Sequence, residues 1–387
     1  MLFLRYSVNK FYKKINYKFI IMIKKHILIF VPMIGGGGVE KNLFLIANYL
    51  SKKFHKISII STSKEFKRKF NKNIEFISPK NKFWNNTNNR RLKILICLCL
   101  LIKYYFFNKT FKVLSFQGNL YCCFICKILG VKIILRSNAS ITGWSKGFIK
   151  HFLYKHISKM ADKIIVNSLD FQNEYKKKFN IQTHCIYNPL NKSEIIKKSN
   201  EKLKFSFFKK NTINLINIGR LVDQKDQMTL LVSLKKLKDN SNYDFRLLIM
   251  GSGVNKNLLL NYIKENNLKK NVKLIDFQDN PYPYLKKAEV FILSSLYEGL
   301  PNVLLEGLSL KKFIISSNCP TGPKEILDNG NNGLLFKMGD PDDLLKKIYY
   351  YLENKKKCNH LLKNGLKRLW RFDYQSNLRK YVKLVNT

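Results

Sequence analysis

Residues 290–307 constrain the fold more than any other stretch. Val290-Phe291-Ile292-Leu293-Ser294-Ser295 is apolar and then small, the pattern of a strand buried on both faces of a parallel sheet. Glu298, Gly299 and Pro301 break the strand, and Asn302 is placed to cap a helix beginning at Val303. Strand, short turn and helix make a βα unit. Glu298 then sits in a loop at the carboxyl end of a parallel strand, with Glu306 one turn into the next helix. That edge is where open α/β sheets bind ligands. A helix start there offers N–H groups to an anion, and two carboxylates at one mouth suit the hydroxyls of a polyol. A solvated helix with two ordinary surface glutamates is the plainer reading.

The same alternation runs through the chain. In the first half, strands are expected at His26–Met33, Lys56–Thr62, Ile74–Ile77, Lys112–Phe116, Val131–Leu135, Lys163–Asn167 and Thr183–Ile186. The first is followed by Gly35-Gly36-Gly37-Gly38 and a helical pattern from Val39 to about Lys53. Strand, glycine loop, helix is the setting of a phosphate cradle around Gly37 and Gly38, and equally of a flexible tight turn. No Gly-Lys-Ser/Thr follows, and no acid ends the next strand, so neither a Walker loop nor a dinucleotide fingerprint is present. The fifth strand ends in Arg136-Ser137-Asn138. Arg136 and Asn138 are site candidates by position, although Arg136 also suits a salt bridge at a helix terminus.

After Asn188-Pro189-Leu190, residues 191–210 are polar, lysine-rich and without strand character, and read as a hinge. The alternation then restarts with Asn214–Ile218, Phe245–Met250, Val272–Phe277, Val290–Ser295 and Phe313–Ser317. Asn214–Ile218 ends in Gly219-Arg220-Leu221-Val222-Asp223-Gln224-Lys225-Asp226. Arg220 and Lys225 flank a strand-to-helix turn as a fork and a point charge suited to a diphosphate. Gly251 and the turn after Phe277-Gln278 line the same edge. Asp340-Pro341-Asp342-Asp343 has the look of a metal motif, but reads as the acidic start of a helix running to Tyr351. Residues 372–384 form a final helix.

The chain of 387 residues carries 71 Lys+Arg against 25 Asp+Glu, a net charge of +46. Joint enrichment in Lys, Asn and Ile points to biased coding. A field this positive nonetheless attracts anionic membranes and phosphorylated substrates. The basic residues are spread out, and no nucleic-acid module accompanies them. Eight cysteines lie mostly in apolar runs, which reads as buried thiols in a reducing compartment rather than a metal site. Residues 1–25 hold seven basic residues and no acid, with an apolar core too short for a signal or a span. They read as a basic extension, either membrane-associating or preceding a true start at Met22. Leu92–Phe107, ending in Tyr104-Tyr105-Phe106-Phe107, and the aromatic, basic helix 143–159 are candidates for a membrane interface or for buried and solvated packing.

Leu296-Tyr297-Glu298-Gly299-Leu300-Pro301-Asn302-Val303-Leu304-Leu305-Glu306 closely resembles the signature of retaining glycosyltransferases of family 4, whose Glu-x7-Glu pair falls on Glu298 and Glu306. Gly219-Arg220-Leu221 with Lys225, and Gly322-Pro323-Lys324-Glu325-Ile326, match two further segments of that family. Many relatives carry a His where this chain has Arg136-Ser137-Asn138. The resemblance implies the GT-B architecture, an α/β fold of two Rossmann-like domains with parallel sheets facing across a cleft. Residues 26–190 would be the acceptor domain, 191–210 the linker and 211–371 the nucleotide-sugar domain, with 372–387 crossing back. It implies sugar transfer from a UDP-sugar, an N-acetylhexosamine or hexose, with retained configuration and no metal or cofactor. Arg220 and Lys225 would neutralise the leaving diphosphate, Glu298 would hold the sugar hydroxyls and Glu306 the ribose. Gly219, Gly251, Phe277, Gln278, Gly299, Leu300, Pro301, Asn302 and Val303 would complete the donor site. The expected acceptor is a lipid-linked saccharide or glycan in surface polysaccharide or lipopolysaccharide assembly, met by a peripheral protein on the inner, cytoplasmic face of the membrane. A UDP-N-acetylglucosamine 2-epimerase-like isomerase and a non-catalytic basic binding protein are the alternatives.

Overall fold

The computed structural model describes residues 23–35, 37–81, 84, 87, 89–108, 110–138 and 148–387. The basic N-terminal stretch up to Met22, Gly36, and Trp144 and Lys146 of the aromatic helix lie outside the described residues.

Two parallel sheets organise the chain. The first has strands β1 (Ile23–Phe30), β2 (Phe54–Ile60), β3 (Glu75–Ile77), β4 (Lys112–Ser115), β5 (Ile133–Arg136), β6 (Lys163–Val166) and β7 (His184–Cys185), ordered β3-β2-β1-β4-β5-β6-β7. Between them run α1 (Gly38–Leu50), α2 (Arg90–Phe107), α3 (Asn119–Ile128), α4 (Phe148–Met160) and α5 (Leu169–Phe179). The second sheet has β8 (Ile213–Ile218), β9 (Phe245–Met250), β10 (Val272–Ile275), β11 (Val290–Leu293), β12 (Phe313–Ser317) and β13 (Leu334–Phe336), ordered β10-β9-β8-β11-β12-β13. With it go α6 (Lys192–Ser199), α7 (Gln227–Asn240), α8 (Lys256–Glu265), α9 (Tyr282–Lys287), α10 (Asn302–Ser309), α11 (Pro323–Ile326), α12 (Pro341–Glu353), α13 (Lys355–Arg368) and α14 (Tyr374–Asn386).

By contacts the chain divides into two compact units. One holds the residues up to 136 together with 157–163 and 378–387; the other holds 137–156 and 164–377. In the first unit, Leu378, Tyr381 and Val385 of α14 are fully buried. The Arg136 Nε–H donates to the Tyr381 hydroxyl at 2.8 Å.

The second sheet shows why its strands read as unbroken apolar runs. Leu215, Leu247, Ile249, Val290, Ile292 and Ile315 point to one face, where Leu230, Leu234 and Leu237 of α7 and Leu344 and Ile348 of α12 cover them. The alternate residues Ile216, Leu248, Met250, Phe291, Leu293 and Ile314 point to the other, under Leu304, Leu305 and Leu308 of α10. Both faces are dry, so neither register position is free to be polar. Each fully buried leucine contributes about 1.5–3 kcal/mol.

Three details differ from expectation. Residues 191–210 contain α6, anchored by buried Ile195. Leu334–Phe336 adds a strand after β12. The helix after β11 starts at Asn302 behind Pro301, which makes no side-chain cap. The Asn302 carboxamide is engaged elsewhere: its Oδ1 accepts a hydrogen bond from Asn188 Nδ2 at 2.7 Å.

Candidate active site at the carboxyl edge of the second sheet

Strands β8 to β12 pair in parallel, so their carboxyl ends share one edge. β8 and β11 are neighbours there, although residues 219–226 and 294–298 lie some seventy positions apart. Their two turns are stitched together. The Leu296 N–H donates to Gln224 O and Gln224 Nε2 to Tyr297 O, both at 2.8 Å. Ser294 Oγ donates to Lys225 O at 2.9 Å. Buried Gln227 fixes the other end by donating to Arg220 O at 3.0 Å.

This stitching brings Lys225 to Glu298. The ammonium pairs with Glu298 Oε1, and Ser295 Oγ donates to the same oxygen at 2.6 Å. Glu298 is 7% exposed, so its charge is held by partners rather than by water. The stem of Lys225 lies along Gly219, where an added Cβ would meet its carbons at 3.5–3.6 Å, ordinary contact. Arg220 is exposed, its Nη2 donating to Gln224 Oε1 at 3.2 Å.

Close backbone approaches explain the glycines. A Cβ on Gly251 would fall 1.8 Å from Gly219 O, and one on Gly299 would fall 2.3 Å from Asn138 O and 3.1 Å from Asn167 Nδ2. Asn188, 3% exposed, donates to Leu300 O at 2.9 Å as well as to Asn302. The Gly299–Asn302 loop that carries Leu300 and Pro301 is therefore fixed from the ends of the preceding strands. Val303 sits in the first turn of α10. Glu306, one turn on, is 4% exposed and accepts from the Tyr282 hydroxyl at 3.2 Å. Burial and this carboxylate push Tyr282 well above the usual phenol range. Phe277 is exposed beside Gln278, with its N–H donating to Ser252 Oγ at 3.2 Å.

The candidates of the first half are placed differently. Gly37 precedes α1 and Gly38 opens it. A Cβ on Gly37 would fall 2.8 Å from Glu40 Oε2, so a first-turn carboxylate lies over this helix start. Arg136 is 1% exposed, stacked 5.1 Å from the Phe116 ring and bonded to Tyr381. Its guanidinium is packed inside the unit. In α4, His151 packs on Phe179 and His156 on Phe152, with centroids 4.9 and 4.1 Å apart and the rings tilted by 56° and 42°. Asp340 caps α12 by accepting from the Asp342 and Asp343 N–H groups at 3.1 and 3.0 Å, as its acidic helix start implied.

Sequence reasoning missed Ser295, Thr321, Asn188 and Tyr282. Each acts through a partner more than twenty residues away or through the backbone, except Ser295, whose spacing of three from Glu298 was a usable signal.

Residues 198–368 match the family model for glycosyl transferases group 1. An uncharacterized glycosyltransferase of Methanocaldococcus jannaschii is 36% identical over 49% of this chain and 48% of its own length. The Campylobacter jejuni enzyme N-acetylgalactosamine-N,N'-diacetylbacillosaminyl-diphospho-undecaprenol 4-alpha-N-acetylgalactosaminyltransferase is 27% identical over 85% of this chain and 90% of its own. Among solved structures, Anabaena HepE in complex with UDP-glucose superposes with a TM-score of 0.74 at 15% identity, covering 93% of this chain and 99% of that one, which shows the fold. Together with the two parallel α/β sheets, these matches show a glycosyltransferase of GT-B fold whose residues 198–368 are similar to the glycosyl transferases group 1.

Proposed function

We propose that this glycosyltransferase moves an N-acetylhexosamine or hexose from a UDP-sugar to a lipid-linked saccharide or glycan in surface polysaccharide assembly, retaining the anomeric configuration. The observation that carries the reading is the Lys225–Glu298 pair, held between the turns of two adjacent strands at the ligand edge. As the donor's anomeric bond stretches, the sugar gains oxocarbenium character and the diphosphate gains charge. Lys225 and exposed Arg220 stabilise that diphosphate, as preorganised cations do. This role needs no metal. Glu298 takes sugar hydroxyls and Glu306 the ribose, while the leaving phosphate oxygen accepts the proton of the acceptor hydroxyl. In this scheme residues 211–371 form the nucleotide-sugar domain, residues 26–190 the acceptor domain, and 191–210 the linker between them. Residues 372–387 cross back to the acceptor domain, and donor binding closes the two.

The lipid-linked acceptor is supported by the Campylobacter jejuni relative, named for its undecaprenol-linked substrate, and by the surface of α2 and α3. Neither helix contains an acid, and both carry basic residues. Phe106 and Phe107 of α2 and Tyr121, Phe124 and Ile128 of α3 are each more than half exposed. Tyr104 is not among them, because it is buried and its hydroxyl donates to Glu75 Oε2 at 3.1 Å. No helix of the described residues is long and apolar enough to cross a membrane. Exposed aromatics among lysines suit an anionic bilayer surface and support the reading of a peripheral protein on the inner face. The test is a screen of UDP-sugars against a membrane extract, with and without EDTA, and NMR of the product's anomeric centre. An inverted product, or transfer abolished by EDTA, contradicts the scheme.

A further inference from the structure

Thr321 is one of the non-glycine residues with positive φ, at +61°. A β-branched side chain in that region is a backbone outlier, stable only where the surroundings over-determine it. Its surroundings do. Thr321 is 8% exposed, and its Oγ1 donates to the carbonyl oxygen of Glu298 at 2.5 Å. Gly322 follows at φ +80°, so close to the same loop that a Cβ there would lie 1.9 Å from Gly299 O. Just before it, Ser317 Oγ donates to Ser295 O at 2.6 Å, and Ser295 in turn holds the Glu298 carboxylate.

The far end of the segment is anchored too. Glu325 accepts the Leu169 and Asp170 N–H groups at the start of α5, both at 3.1 Å, and the Tyr187 hydroxyl at 2.5 Å. Arg371 Nη2 donates to Glu325 O at 3.0 Å. Residues 317–325 are thus a rigid strap lying under the Glu298–Gly299 turn, and Thr321 is the contact that reaches Glu298 itself.

We propose that Thr321 is a positioning residue for sugar transfer: its hydroxyl fixes the Glu298 backbone, and its left-handed backbone is the strain accepted to bring that hydroxyl there. The proposal rests on the assignment of Glu298 to the donor sugar. It sets stability against turnover. Thr321→Gly removes the β-branch from the left-handed position and the hydroxyl together, Thr321→Val keeps the β-branch without the hydroxyl, and Thr321→Ser keeps the hydroxyl.

The experiment measures kcat, the Kd for UDP and the melting temperature of the full chain for these variants, with Glu298→Gln alongside. The expected result is a kcat at least tenfold lower in T321V and T321G, UDP affinity within about twofold of the parent, and recovery of turnover in T321S. T321G melts at or above the parent temperature while turning over more slowly, an outcome that general damage to the fold does not give. Parental kcat in T321G, or in T321V, overturns the proposal. If E298Q is inactive while those variants are not, only the role of Thr321 fails. If E298Q itself is fully active, the reading of Glu298 fails first.

Discussion

The Lys225–Glu298 pair offers a test in which stability and activity separate. The two side chains are 15% and 8% exposed, enough burial for removal of one partner to leave a poorly solvated charge. Breaking such a pair costs about 3–5 kcal/mol when the remaining ion is fully stranded. Glu298 would not be fully stranded, because Ser295 Oγ still donates to Oε1 at 2.6 Å, and a hydrogen bond to a charged group retains about 1.5–3 kcal/mol. Lys225→Met, which keeps the stem along Gly219, is therefore expected to destabilise by about 2–3 kcal/mol. That corresponds to a fall of roughly 4–12 °C in the melting temperature of a unit of this size. The double variant Lys225→Met/Glu298→Gln removes both charges and should recover to within about 1 kcal/mol of the parent, a coupling of about 2 kcal/mol in a double-mutant cycle. Transfer should stay at least a hundredfold down in both single variants and in the double, because the proposed diphosphate cation, the proposed sugar-binding acid, or both are then missing. Thermal melts and initial rates on the same preparations give both readings. A double variant no more stable than the sum of its singles would show that the pair is not coupled. A double variant that regains transfer would refute the catalytic role of both residues.

Three shorter tests address other parts of the molecule. Gly322→Ala combines positive φ with a 1.9 Å approach to Gly299 O, so it should destabilise by about 3 kcal/mol or more; a melt within 2 °C of the parent would contradict the backbone geometry. His26 bonds Ser58 Oγ at 2.8 Å, and burial, reinforced by Lys56, holds its imidazole down at about 4 against an ordinary 6.5. The folded state thus favours neutral His26, its contribution is complete above pH 6.5, and it is lost as pH falls from 6.5 towards 4. Discounted for partial exposure, the loss is about 1–2 kcal/mol, and His26→Gln should flatten the stability profile between pH 6.5 and 5. Finally, Phe106→Ser/Phe107→Ser should weaken sedimentation with phosphatidylglycerol vesicles at least tenfold without changing UDP affinity; unchanged vesicle binding would remove α2 from the membrane surface.

What the sequence made legible follows from which interactions were local. The strands of the second sheet were readable because both faces are buried, which forces apolar residues at consecutive positions such as Phe291, Ile292 and Leu293. β13 escaped because Leu334 and Leu335 are only partly buried, so a three-residue strand left no run to detect. α6 also escaped within its polar surroundings. Its signal was present, since Asn191 Oδ1 accepts from the Glu194 N–H at 3.3 Å and Asn191 Nδ2 donates to Glu194 Oε2 at 3.0 Å, a side-chain pair spaced like a capping box.

The site residues divide along the same line, and the division explains why motif and mechanism came apart. Position along a strand–turn–helix unit was enough to place Arg220, Lys225, Glu298 and Glu306 near one edge. It could not pair Lys225 with Glu298, because that contact exists only if β8 and β11 are neighbours, a fact of strand order that no spacing encodes. Nor could it separate Arg136 from Arg220, two arginines each at or just beyond the end of a parallel strand. One is exposed at its turn, and the other is packed against Phe116 and tied to Tyr381, 245 positions away. Asn302 makes the point most sharply. Local rules offered its side chain to its own helix, but the structure gives it to Asn188, 114 positions earlier. A buried amide that bonds both Leu300 O and Asn302 fixes the loop between the two glutamates, whereas a cap would have fixed only the helix. The geometry of the Glu298–Glu306 pair is therefore set by distant strand-end and strap residues rather than by the motif that contains it.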